Sequence, residues 1–251
     1  MDSFDLILIA FAVFFLAGVV KGVVGMGMPT ISLGLMTVFV GVDKAIVLIL
    51  WPTFLTNLWQ AFSGGHLKNL LKQLWPFLGA AALTLALGTF ILTRAPGGAA
   101  DLILGVLMIA YAVPMLFGLR LHISPVWQIP AGVFLGAVNG VFSGLTGSYT
   151  VPGVMYLQAL GFNRDQLIQA MGLLFLSATI VLALALGGFG ILGAADALQS
   201  LLMCVPALCG VYVGQHLRGR LSDEGFRRVF LGAILCLGIY LVPLGAVRLL
   251  G

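Results

Sequence analysis

Apolar residues dominate this chain in long runs, and the sparse polar positions between them mark where the runs end. A helix that crosses a bilayer needs roughly 20 residues. Runs of that length lie near 5–27, 45–63, 73–93, 102–119, 127–146, 166–187, 197–216 and 228–247. Two further runs, 29–40 and 152–160, are too short to cross. Each short run starts at a proline (Pro29, Pro152) just after a glycine-rich break, and ends at a glycine followed by a polar cluster, "GVDKA" or "GFNRD". The pattern predicts an all-α integral membrane protein with about eight full-length helices and two half-helices.

The breaks repeat. "GVVKGVVGMGMP" (Gly18–Pro29) aligns with "GVFSGLTGSYTVP" (Gly140–Pro152), which matches Gly18 with Gly140, Lys21 with Ser143, Gly22 with Gly144 and Gly25 with Gly147. Further along, Asn57 falls opposite Ser177 and Pro76 opposite Pro206. The chain therefore divides into a first membrane repeat at 1–119, a short join at 120–126 and a second repeat at 127–251. Each repeat is a broken, re-entrant hairpin followed by three spanning helices.

Charge settles the orientation. If each long–short pair is a hairpin, the two halves are inverted. One face then carries Lys68, Lys72, Arg120, Arg164, Arg218, Arg220, Arg227 and Arg228, and the other only Lys44, Arg94 and Arg248. If each pair is one broken crossing, the cluster "RGRLSDEGFRR" moves away from the other basic loops. Lys and Arg favour cytoplasmic loops, so the hairpin topology is expected, with both termini and the acidic pair Asp2 and Asp5 extracytoplasmic in a cell (inner) membrane. The acidic start also marks the first apolar run as a spanning helix rather than a secretory signal.

Composition supports the membrane reading and excludes several functions. Of 251 residues, 61% are hydrophobic and 8% charged, against about 25% charged in soluble domains. The net charge of +4 comes from loops and forms no basic stripe with aromatics, so nucleic acid is not a partner. Cys204, Cys209 and Cys236 lack metal spacing and are expected to be buried thiols. His66, His122 and His216 are scattered, and the four tryptophans fit an interfacial belt. No nucleophile–base pair is apparent, so neither enzyme activity nor a cofactor or metal is expected.

The chemistry gathers at the breaks. Inverted halves with interrupted helices point to a transporter with a binding site near the midplane. Irregular backbone survives at membrane depth only when buried in protein or lining a cavity. A proline-led helix start presents N–H groups that favour anions. The candidate substrate-binding residues are Lys21, Gly25, Gly27, Thr30, Asn57, Gly147, Ser148, Thr150 and Ser177, with Gln60 sharing a face with Asn57. Lys21 lies 16 residues past Asp5, roughly 24 Å along a helix, and an intramembrane lysine is a functional-site hypothesis by default. All eight acids fall at segment ends or in loops, so an anion is favoured over a cation. Gly18 with Gly22, and Gly140 with Gly144, also have the spacing of close-packing membrane helices.

The doubled element "GVVKGVVGMGMP" and "GVFSGLTGSYTVP", with "GVDKAIVLILWPTFLTNLWQ" and the tail "GVYVGQHLRGRLSDEGFRRVFLGAILCLGIYLV", resembles the sulfite exporter TauE/SafE family over nearly the whole chain. The resemblance implies an inner-membrane permease for sulfur-containing anions such as sulfite or organosulfonates. An anion channel using the same helix ends is the alternative.

Overall fold

A computed structural model describes residues 3–118, 122–190, 193–217 and 223–250. Asp2, Arg120, Arg218 and Arg220, which enter the charge argument, lie outside the described residues, as do 120 and 121 of the expected join. The described chain is all-helical: α1 (Ser3–Val24), α2 (Met28–Phe62), α3 (Leu67–Leu92), α4 (Ala99–Leu116), α5 (Gln128–Thr146), α6 (Gly153–Ala159), α7 (Arg164–Gly188), α8 (Ala194–Leu202), α9 (Cys204–Leu217) and α10 (Asp223–Leu250). Eight stretches among the described residues are long and apolar enough to cross a membrane, with α8 and α9 sharing one of them. Trp51, Trp59, Trp75 and Trp127 are all exposed on the outside of the bundle.

Both breaks fall where the glycines and prolines place them. α1 stops at Val24, Gly25 and Gly27 take φ of 84° and 98°, and Pro29 stands in the first turn of α2. These left-handed angles carry almost no steric penalty in glycine alone. In the second break Gly147 (φ 69°) caps α5, its N–H donating to Ser143 O at 2.8 Å, and α6 follows Pro152. The first half-helix ends at the glycine of "GVDKA" without a loop. Gly41 (φ 78°, ψ 163°) leaves helical geometry and turns the chain back, so α2 consists of two helical segments, 28–40 and 42–62. Gln60 in the second returns to Gly25 O at 2.8 Å, just before the first. α7 begins with a capping box, Asn163 Oδ1 accepting from Gln166 N at 2.9 Å and Gln166 Oε1 from Asn163 N at 3.2 Å.

Glycine stripes fix how the helices pair. A Cβ on Gly18 would strike the Ala207 carbonyl and one on Gly22 the Val211 carbonyl, while Gly210 and Gly214 abut Phe15 and Val19. The residue numbers rise together, so α1 and α9 run parallel. α5 and α3 do the same through Gly136 on Phe77, Gly140 on Ala81 and Gly144 on Leu85. By contrast α4 and α10 run antiparallel, Gly98 meeting Gly245 and Gly105 meeting Gly238. α2 and α7 are also antiparallel: Ala61 lies by Gln169, and Trp51 and Phe54 share a cavity with Ile180 and Ala183. The four repeat glycines, Gly18, Gly22, Gly140 and Gly144, thus serve close helix packing in the small-xxx-small manner.

Two expectations change. Gly88 contacts Val141 O and Gly144 as Gly214 contacts Val19 O and Gly22, so α3 and α9 correspond through Gly88 and Gly214. This register is about one helical turn from the Pro76–Pro206 match, because backbone contact rather than proline position sets the overlap. Of the cysteines, Cys204 is buried, but Cys209 and Cys236 are exposed. They stand on helix faces that meet no other helix, where an apolar thiol suits lipid as well as it suits a core.

Candidate functional site

The first break holds a lysine inside the protein. Lys21 is 5% exposed, and its Nζ donates to Asn57 Oδ1 of α2. No carboxylate reaches it among the described residues. Two weaker influences act on the ammonium. It stands in the last turn of α1, where the helix dipole favours a cation. Its Nζ also lies 6.0 Å from the centre of the Phe175 ring, at the limit of a useful cation–π contact. Desolvating an ammonium costs several kcal/mol, and neither influence offsets that in full.

Beside this pair is a cavity of about 180 Å³. Lys21, Thr56, Gln60, Ser63 and Gln215 provide its polar lining, and Leu55, Trp59, Ile168, Leu208 and Val211 most of the apolar part. Lys21 and Ser63 stand at the ends of α1 and α2, so the cavity lies toward the α2–α3 connection. Gln60 holds its wall in place: Nε2 donates to Gly25 O and to Ile168 O, each at 2.8 Å. One side chain thereby ties the broken end of α1 to α7. Asn57 Nδ2 is buried and has no partner among the described residues, which leaves an amide donor next to the ammonium.

The two breaks touch. Thr30 Oγ1 and Thr150 Oγ1 are 2.7 Å apart, both buried. Around that contact Tyr149 is fully buried with its ring 6.1 Å from Phe175, and Phe175 in turn faces Lys21. The structure therefore brings Lys21 and Gly25 to one cavity, sets Asn57 behind Lys21 outside the lining, and joins Thr30 to Thr150. Gly27 caps α2 and Gly147 caps α5, both serving the turns of the backbone. Ser148 is buried and its N–H donates to Thr146 Oγ1 at 3.2 Å. Ser177 is not drawn in; its hydroxyl donates to Leu174 O of its own helix at 2.9 Å.

Two residues of this region were not picked out from the sequence. Asn139 in α5 accepts from Gly153 N at 2.9 Å, holding the start of α6, and its Nδ2 donates to Ser143 Oγ at 3.4 Å. Gln169 in α7 donates to Ala61 O at 2.9 Å and accepts from His66 N at 2.9 Å. Each is an amide inside an apolar helical stretch, which is the signal that marks Asn57. A buried amide needs partners, so such residues report where helices meet.

Eight apolar spans and two interrupted helices, with a cavity beside a buried lysine, describe a polytopic membrane protein. The chain matches the family described as Sulfite exporter TauE/SafE over residues 10–241 and belongs to that family. No curated protein and no solved structure gives a match to the chain.

Proposed function

We propose that this chain is a secondary transporter for a small anion, a sulfur oxyanion or organosulfonate such as sulfite, held at Lys21 and moved by alternating access. The observation that carries the reading is a buried ammonium with no carboxylate partner among the described residues, beside a cavity and an amide donor unpartnered among them. An anion entering that cavity neutralises the charge and gains charge-assisted hydrogen bonds, each worth about 1.5–3 kcal/mol. Gly25 contributes by ending α1 where the pocket begins. Thr30 and Thr150 form the contact between the breaks, with Ser148 buried two residues before Thr150, and the anion passes it when the halves rock.

The pairing of helices supports inverted halves. Hairpins at the breaks make α1 and α9 cross in one direction and α3 and α5 in the other. They also make α2 oppose α7 and α4 oppose α10. Single broken crossings would instead make α2 parallel to α7 and α4 parallel to α10, against the contacts observed. With the basic-loop bias, both termini are then extracytoplasmic in the inner membrane, and the Lys21 cavity faces the cytoplasm.

The test is thermal stabilisation of the purified protein in detergent by sulfite, sulfate, thiosulfate, a short sulfonate, acetate and chloride, wild type beside Lys21→Met. Stabilisation by a sulfur anion that vanishes in the variant is the expected result. Equal responses in the two proteins would remove Lys21 from the site, and no response to any anion would end the anion reading. Unitary currents in planar bilayers would make the protein a channel instead.

A further inference from the structure

The opposite end of the bundle holds a buried carboxylate that the transporter reading does not use. Asp101, in the first turn of α4, is 3% exposed. Its Oδ2 accepts from Arg248 Nη1 of α10 at 2.6 Å. Its Oδ1 is buried with no partner among the described residues. The Arg248 pair and the α4 dipole account for one oxygen and leave the other unexplained, and an orphaned charged oxygen is expensive.

Three features of α2 converge on the same level. Gly34 lies against Met108 of α4 and Leu237 of α10, and Asp43 is near enough to Asp101 for their charges to interact. α2 and α4 therefore run antiparallel here. Two turns forward from Gly34 is Gly41, and two turns back from Met108 is Asp101, so the α2 kink comes level with the carboxylate. Thr37, one turn past Gly34 on the same face, is fully buried and its Oγ1 has no partner among the described residues. Helical threonines usually return their hydroxyl to the preceding turn, as Thr56, Thr89 and Thr179 do here. Gly41 (φ 78°, ψ 163°) leaves helical geometry and ends the first segment of α2, and the last carbonyls of a helix have no N–H ahead of them in that helix to accept from. That last turn is also the negative end of a half-helix dipole.

We infer that Asp101 Oδ1, Thr37 Oγ1 and the freed carbonyls at the Gly41 kink form a binding site for a small monovalent cation, with sodium as the ion it fits. Carboxylate, hydroxyl and carbonyl oxygens suit a hard cation, and interrupted half-helix C-termini hold sodium in other transporters. Asp43, Asp101 and Arg248 together carry one negative charge, which a monovalent ion balances. The nearby cations do not compete for the place: Lys44 is exposed, and the Arg94 guanidinium lies 3.6 Å over the Phe90 ring. Within the transporter reading this ion is the coupling partner, bound on the face opposite the Lys21 cavity. Its binding does not depend on the Lys21 site.

The experiment is thermal unfolding of the full chain in detergent, in chloride salts of sodium, potassium or choline at equal ionic strength without sulfur anions. Wild-type protein gains roughly 5–10 °C at a hundredfold excess of sodium over its Kd, and choline gives no gain. Asp101→Asn abolishes the gain. Thr37→Val keeps the melting temperature in choline and moves the sodium midpoint upward about tenfold. If Asp101→Asn does not fold, the Thr37→Val midpoint decides. Superimposed sodium and choline curves, or an unchanged sodium response in both variants, would overturn the site. A gain that follows acidification and ignores sodium would assign the oxygen to a proton and equally overturn the sodium site. Because chloride salts alone are used, failure here leaves the anion test standing.

Discussion

Asn57→Asp gives the sharpest test of the proposed anion pocket, because it changes one atom type beside Lys21 and no volume. Asn57 Oδ1 already accepts from Lys21 Nζ, and both residues are buried. The introduced carboxylate therefore meets the ammonium at hydrogen-bond distance. At an effective dielectric near 20, opposite charges about 4 Å apart attract by about 4 kcal/mol. A substrate anion then loses its free countercharge and meets a like charge in its place. At 1.36 kcal/mol per tenfold, affinity for the stabilising anion should fall by about a thousandfold. The unliganded protein should unfold within a few degrees of wild type, since burying the new carboxylate offsets most of the gain from pairing. Lys21→Met combined with Asn57→Asp strands that carboxylate and should cost about 3–5 kcal/mol. Anion titrations followed by intrinsic fluorescence melting read all three proteins. Wild-type anion affinity in Asn57→Asp would refute the placement of substrate at Lys21.

Other consequences follow from packing and topology. Gly88→Ala drives a Cβ into the Val141 carbonyl and should lower stability by about 1–3 kcal/mol, whereas Gly79→Ala on the same helix meets open space and should be neutral or slightly stabilising; melting temperatures compare them directly. Ser200 Oγ donates to Leu48 O at 2.9 Å, the carbonyl that Pro52 cannot serve because it has no N–H. Ser200→Ala should cost about 1 kcal/mol in wild type and clearly less in a Pro52→Ala background, so a double-mutant cycle in chemical denaturation should be non-additive. For topology, His66→Cys and a C-terminal tag should label from opposite sides of the membrane in a protein whose native cysteines are replaced. Labelling from the same side would favour single broken crossings.

The glycine contacts show how far the repeat could be read and where reading stopped. Gly18, Gly22, Gly140 and Gly144 stand out by spacing alone, and the structure finds all four against backbone carbonyls. Their partners, Ala207, Val211, Ala81 and Leu85, have nothing unusual about them in sequence. A knob is visible as a missing side chain, but the hole it fills is any stretch of backbone at the right height. That is why prolines suggested a register about one turn away from the one that Gly88 and Gly214 define.

Among the polar residues the division is similar. Lys21 and Asn57 could be singled out because each is costly in an apolar run, whatever it touches. Gln169 and Asn139 carry the same cost, yet their work, bonding Ala61 O and Gly153 N, depends on helices more than a dozen residues away in the chain. Asp101 looked like a helix-end acid in the water layer. Its burial comes from packing against distant segments, with Arg248 of α10 bonded to it.

By itself the sequence determined the membrane environment, the eight spans, both helix breaks and the lysine beside the first. Each of these follows from the local cost of placing a residue type in hydrocarbon or at a given backbone angle. Only the tertiary structure decided that Lys21 meets Asn57, that Thr30 meets Thr150, that the chain turns back at Gly41 with no loop, and that one oxygen of Asp101 is left bare. Those facts depend on the direction and height at which helices pack, and those are set by contacts between distant segments that no local pattern encodes.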